Sequence, residues 1–299
     1  MADIRLGDGS VIEATIEGAG PAVLLPVDPA PVEGDRAVEL RKWGVDPALG
    51  RRLVDGLSDR FRVVAFDYEG HLSAYPKPDT LTPETTAADF LTVADAAGAD
   101  RFAYYGYSWL ALAGLQLALR TDRLSALVMG GYPPLDGPYE EMLAVTTAGH
   151  DQAIEVAERN AANAAAVTSA DAASADAAAS DWSDPADFDW SSVEISLTEE
   201  QTSQYLTLYR ELQGFDDRAI QDRLTIPRLC FAGSADAIDY GEKWGDVRVD
   251  LAGPLVRERD TLERLGWHVR VLEGLDHTSA MQPDAVLPVI RPWLSDSLL

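Results

Sequence analysis

The sequence predicts an α/β fold: a mostly parallel, eight-stranded sheet flanked by helices and interrupted by a helical insertion. Three observations predict it. Short apolar runs alternate with stretches of helical periodicity over residues 1–135. The alternation lapses over 136–224, and it resumes over 225–299. Strands alternating with helices imply right-handed crossovers, which build a parallel sheet covered on both faces.

In chain order, "DIRLGDG" and "SVIEATIEG" alternate like half-buried strands about a Gly-Asp-Gly turn and read as a hairpin. "PAVLLPV" (Pro21–Val27) is continuously apolar, as a strand buried on both faces must be. Leu49, Leu53 and Leu57 are spaced for a helix. "FRVVAFD" (Phe61–Asp67) is the next buried strand. "TPETTAADFLTVADAAGA" opens on a capping signal and continues as a helix. "RFAYYGY" is a strand, "SWLALAGLQLALRTD" an apolar helix and "LSALVMGG" (Leu124–Gly131) another strand.

Residues 136–224 contain no buried-strand pattern, and the segment reads as a helical lid over a core of 1–135 and 225–299. Within it, "ANAAAVTSADAASADAAAS" is low in complexity, and its Ser and Asp side chains compete for the helical backbone. "LTEEQTSQYLTLYRELQGFDDRAIQDRL" reads as two helices broken near Gly214. Beyond it, "IPRLCFAG" and "WHVRVLEG" are strands, "GPLVRERDTLERLG" a helix between them, and "PDAVLPVIRPWLSD" the closing helix.

Composition excludes several classes of function. The formal net charge is −26, a surface that repels nucleic acid and anionic membranes. It fits a high-salt setting or ordinary solubility equally. No run approaches the ~18 apolar residues of a membrane helix. The opening "MADIRLGDGS" lacks the apolar core of a secretory signal, and the single cysteine, Cys230, rules out an intrachain disulfide. A cytoplasmic protein is expected. One cysteine and four histidines make a dedicated zinc site unexpected, and no phosphate-binding glycine loop is present.

Three residues fall at strand ends, where open α/β sheets place their ligands. Ser108 follows "RFAYYGY", Asp236 follows "RLCFAGSA", and His277 follows "VRVLEGLD". "GYS" (Gly106–Ser108) nearly completes a Gly-x-Ser-x-Gly turn, with Leu110 where the second glycine would stand. Serine before a helix is also a common N-cap. Asp239 rivals Asp236, and His71 lies in the turn after Asp67.

With "FRVVAFDYEGHLSAYP", "IPRLCFAGSADAI" and "LEGLDHTSAM" in order around the insertion, the chain resembles the α/β-hydrolase fold superfamily, Ser-Asp-His type with a helical cap. The resemblance implies a serine hydrolase for a small apolar ester, thioester or lactone. Ser108 is then the nucleophile, His277 its base and Asp236 the group that orients the imidazole. It implies two backbone donors for an oxyanion: Trp109, and Val27 or Asp28 after the third strand, since Pro26 has no N–H. Asp28 matches the position better. Tyr107, His71, Tyr132 and Trp182 are the expected pocket residues, with Trp190 another aromatic of the lid. Leu110 demands room that the small Ala111 and Ala113 would supply. No cofactor and no metal are implied, the expected partner is the small-molecule substrate, and a homodimer is left open. A second class of function, a hydrolase-fold receptor or carrier with little turnover, shares the same features. A dehalogenase or epoxide hydrolase would need a carboxylate where Ser108 stands.

Overall fold

The computed structural model describes residues 1–167 and 197–299. β1 (Ala2–Arg5) and β2 (Val11–Glu17) form the predicted antiparallel hairpin, with Gly9 at φ 89° in its turn. β3 (Ala22–Leu25) and β4 (Arg62–Phe66) follow, separated by α1 (Gly34–Lys42) and α2 (Leu49–Leu57). Then come α3 (Tyr68–Ala74), α4 (Pro83–Ala96), β5 (Phe102–Tyr107), α5 (Trp109–Ala118) and β6 (Leu124–Gly130). Between β6 and the next strand lie α6 (Tyr139–Val167) and α7 (Glu199–Glu211), packed against each other. The chain continues through β7 (Arg228–Gly233), β8 (Ala237–Asp239), β9 (Arg248–Asp250), α8 (Ala252–Arg257), α9 (Arg259–Arg264) and β10 (Trp267–Leu272). It closes with α10 (His277–Ala280) and α11 (Pro283–Leu298).

Eight strands make one sheet in the order β1-β2-β4-β3-β5-β6-β7-β10. β2 pairs antiparallel with both neighbours, and every later pairing is parallel. The chain crosses from β4 past β3 to β5, so ligand-bearing loops gather at the carboxyl ends of the central strands. Strand side chains alternate between two cores. Val23, Val63, Tyr105, Val128 and Phe231 face α2 and α11, whereas Leu24, Val64, Tyr104, Met129 and Cys230 face α4 and α5.

Several elements depart from the sequence reading. α1 and α3 are additional helices, and β8 and β9 form a separate small sheet. The single helix expected after "GPLV" is two, parted at Glu258. The helix expected beyond Gly214 is only a short 3-10 turn at Gln221–Arg223. There the Asp216 carboxylate accepts the N–H groups of Arg218 and Ala219 at 3.1 and 2.9 Å. That local turn competes directly with helix propagation.

The question raised by Leu110 is answered by its neighbours. A Cβ on Gly106 would sit 2.3 Å from the Leu110 carbonyl, and one on Gly114 would sit 2.4 Å from the Tyr104 ring. Tyr104 uses that space to donate its hydroxyl to the Leu110 carbonyl at 2.7 Å. The close approach of α5 to β5 therefore rests on Gly106 and Gly114. Leu110 is itself only 5% exposed and packs in the core. Replacing Gly114 by alanine should push α5 off its strand and cost about 1–3 kcal/mol. Urea unfolding of Gly114→Ala against the parent protein measures it.

Candidate active site

Ser108 alone connects β5 to α5. Its backbone lies at φ 56°, ψ −134°, left-handed territory that favours glycine. Holding a non-glycine residue in such a conformation costs on the order of 1–3 kcal/mol and needs surrounding bonds to enforce it. Here the Ser108 N–H donates to the Gly130 carbonyl, and the Ser108 carbonyl accepts from Ala111, both at 2.8 Å. The Ser108 side chain does not cap its helix and lines a cavity of about 480 Å³. The N-cap role that a serine before a helix commonly fills is therefore not the one its hydroxyl plays.

His277 and Asp236 meet as the sequence suggested. The imidazole Nδ1 lies 2.9 and 3.1 Å from the two carboxylate oxygens of Asp236, which is 0% exposed. The Asp236 carbonyl accepts the N–H groups of Leu251 and Ala252, fixing the loop that carries it. Asp276 caps α10 through the Ser279 N–H at 2.7 Å and so sets where His277 begins the helix. Asp239 instead pairs with Arg248 across the small exposed β8–β9 sheet. His277 lines the same cavity as Ser108. A buried carboxylate bonded at Nδ1 sets the imidazole tautomer and leaves Nε2 available to accept a proton.

Two candidate oxyanion donors come from the sequence reading, and the geometry separates them. The Val27 N–H is already donated to the Leu25 carbonyl at 2.9 Å, in a tight turn around Pro26. That commitment removes Val27. Among the described residues, the N–H groups of Asp28 and Trp109 have no hydrogen-bond acceptor. The Asp28 carboxylate is turned back onto its own loop, accepting the Ala30 N–H at 2.8 Å. Gly50 permits this arrangement: a Cβ there would lie 1.9 Å from the Asp28 carbonyl.

The cavity wall is mainly apolar, with Leu25, Leu40, Val45, Leu53 and Met281 among its residues. Part of it comes from α1, through Arg36 and Leu40, and from the loops that flank it, a segment the sequence reading left unassigned. Glycines at 34 and 44 (φ 66° and 71°) bracket that helix, a boundary signal legible in "VEGDRAVELRKWG". Four carboxylates also line it: Asp28, Asp46, Asp67 and Glu69, against one guanidinium, Arg36. Asp46 is paired with Arg52, and Arg36 with Glu39. Burial raises the pKa of Asp67, opposed by the Gly70 N–H that its carboxylate accepts. The protein around Glu69 raises its pKa too, opposed by the bond it accepts from the Trp109 indole at 2.7 Å. The Trp109 ring stands edge-on to Tyr205 of α7, 5.5 Å between centroids. Among the described residues, no three His, Cys, Asp or Glu side chains converge as metal ligands.

The expected pocket residues divide. Tyr107 lines the cavity. His71 does not: its Nε2 lies 3.0 Å from the Ser10 hydroxyl, tying α3 to the β1–β2 hairpin, and burial lowers its pKa. Tyr132 does not either, being 2% exposed in the core beside Tyr139. Trp182 and Trp190 lie outside the described residues.

Sheet order and crossover define an α/β-hydrolase fold, and solved structures agree. The chain is similar to a carboxylesterase of the thaumarchaeon Nitrososphaera gargenis, at 15% identity and a TM-score of 0.59, covering 99% of this chain and 98% of that one. It is likewise similar to the enol-lactonase of Burkholderia xenovorans LB400, at 17% identity and a TM-score of 0.56, covering 98% and 100%. By sequence it is 37% identical over 109 residues to the putative carbamate hydrolase RutD of Klebsiella pneumoniae and of Klebsiella variicola. That match spans 35% of this chain and 41% of the length of those relatives. No family model matches the chain. No helix among the described residues is long and apolar enough to cross a membrane.

The backbone at Ser108 makes a prediction of its own. Glycine accepts φ 56° without strain, whereas alanine does not, and glycine's extra unfolded-state entropy offsets only about 0.5–1 kcal/mol. Ser108→Gly should therefore melt higher than Ser108→Ala, by a few degrees for about 1 kcal/mol. Calorimetric melting of the two variants side by side reads it.

Proposed function

We propose that the protein is a serine hydrolase that cleaves a small apolar ester, thioester or lactone through an acyl-enzyme. The observation that carries this reading is the His277–Asp236 bond beside a serine held at positive φ, both opening into one cavity. Ser108 Oγ attacks the acyl carbon as His277 Nε2 takes its proton. Asp236 accepts the Nδ1–H bond and stabilises the imidazolium. The negative charge moves onto the former carbonyl oxygen, where the free N–H groups of Trp109 and Asp28 and the start of α5 oppose it. His277 returns its proton to the leaving alcohol, thiol or ring oxygen. A water activated by the same imidazole then releases the acid. In this reading residues 136–224 act as a cap on a core of 1–135 and 225–299, with the Tyr205–Trp109 contact joining the two.

The carboxylates of the cavity refine the substrate. Asp28, Asp67 and Glu69 have no cationic partner among the described residues, and the whole chain carries −26. Such a site resists an anionic acyl chain and accepts a neutral or cationic one. A fluorophosphonate probe should add its mass at Ser108, and both Ser108→Ala and His277→Ala should abolish the adduct. Among otherwise matched esters, one with a terminal carboxylate should show a kcat/KM at least about tenfold below its neutral counterpart at low salt. Well-folded protein that the probe leaves unlabelled favours the binding-protein reading, whose structural support is a Ser108 hydroxyl with no hydrogen-bond partner among the described residues.

A further inference from the structure

The geometry points to Tyr107, the residue before the serine, as the positioning residue that holds His277 in register with Ser108. This rests on the hydrolase reading and concerns how that site is assembled. Tyr107 ends β5 and shares its strand face with Tyr105. Its ring crosses the end of β6, where Gly130 and Gly131 leave the space: a Cβ on either would lie 2.6 Å from ring atoms. Beyond them the ring meets Phe231 of β7, 6.1 Å between centroids, and then the His277 imidazole at 5.1 Å. There the Tyr107 hydroxyl donates to the His277 main-chain carbonyl at 2.8 Å.

α10 is only four residues long, so its own turns offer the His277 carbonyl few donors, and the Tyr107 hydroxyl adds one from outside the helix. Burial raises the Tyr107 phenol well above its ordinary pKa, so the hydroxyl remains a neutral donor at any working pH. Asp236 holds the imidazole from one side through Nδ1, while Tyr107 holds the backbone that carries it. Because Tyr107 is joined to Ser108 by one peptide bond, the nucleophile and its base share a common anchor. A shift of about 1 Å between two reacting groups can cost a hundredfold in rate.

Tyr107→Phe removes one oxygen and keeps the ring. The variant should fold and melt somewhat lower, because the His277 carbonyl loses that donor. Tyr68→Phe is the matched control, since the buried Tyr68 hydroxyl donates to Asp89 at 2.7 Å, in a network apart from the cavity. With a neutral ester that the parent protein hydrolyses, kcat of Tyr107→Phe should fall between about ten- and a hundredfold with KM nearly unchanged. Tyr68→Phe should lose comparable stability and keep kcat. The low-field proton resonance of the His277 Nδ1–H bonded to Asp236 gives a readout independent of turnover. It should be sharp in the parent protein and in Tyr68→Phe, and broadened or displaced in Tyr107→Phe. An unchanged kcat together with an unchanged resonance in Tyr107→Phe overturns the assignment while leaving the hydrolase reading intact. A parent protein that turns over no ester and takes no probe at Ser108 overturns both.

Discussion

The site depends on a one-residue turn. β5 runs along the sheet, α5 runs back over it, and Ser108 alone makes the reversal at φ 56°. An L-residue does not rest there unaided. The turn exists because Gly106 lets the Leu110 carbonyl come down onto the strand, and because Gly114 lets the Tyr104 ring slide beneath the helix. Tyr104 then fastens the first turn of α5 from below, through the Leu110 carbonyl. Strain at one residue is thus opposed by close packing at several others, and the hydroxyl is left projecting from the turn with no structural duty.

The same economy appears on the histidine side. Asp236 spends its backbone carbonyl on Leu251 and Ala252 and its side chain on the imidazole. Asp276 spends its side chain capping α10. The two acids sit on loops that follow the paired strands β7 and β10 and do different work: Asp276 fixes where the His277 helix starts, Asp236 which way the ring faces. A helix of only four residues could not hold His277 in place by its own hydrogen bonds, since nucleating so short a turn is unfavourable. It stands because neighbouring elements supply its bonds.

The sheet was legible in the sequence because strands buried on both faces are near-continuously apolar, a pattern that "PAVLLPV" follows throughout and that "FRVVAF" and "RLCFAG" follow apart from Arg62 and Arg228. Ser108, Asp236 and His277 were legible because each lies within five residues after a predicted strand. What escaped was the part of the cavity built by segments with weak patterns. α1 is short, charged and mostly exposed, so its periodicity is faint beside that of α2. Asp67 and Glu69 could be read as ordinary turn residues, since nothing local says that the start of α3 lines the same cavity as Ser108. Tyr132 and His71 erred in the opposite direction. Proximity in sequence to a strand end or a turn says nothing about which face a side chain takes, and both were claimed by packing.

The carboxylates around the cavity create a tension with an oxyanion chemistry. A negative charge developing near Ser108 is opposed by any ionised acid within a few ångströms. The structure lowers that cost through local hydrogen bonds. Asp28 turns its carboxylate onto the Ala30 N–H while leaving its own N–H free, so one residue can offer a donor without presenting its charge. Asp67 gives an oxygen to the Gly70 N–H, and Glu69 gives one to the Trp109 indole. Each bond opposes part of the negative charge, and burial raises the pKa of Asp67. Trp109 belongs to both sides of this balance, because its main-chain N–H is free for an oxyanion while its side chain occupies a carboxylate. Arrangement rather than composition therefore decides whether an acidic pocket can tolerate the transition state of acyl transfer.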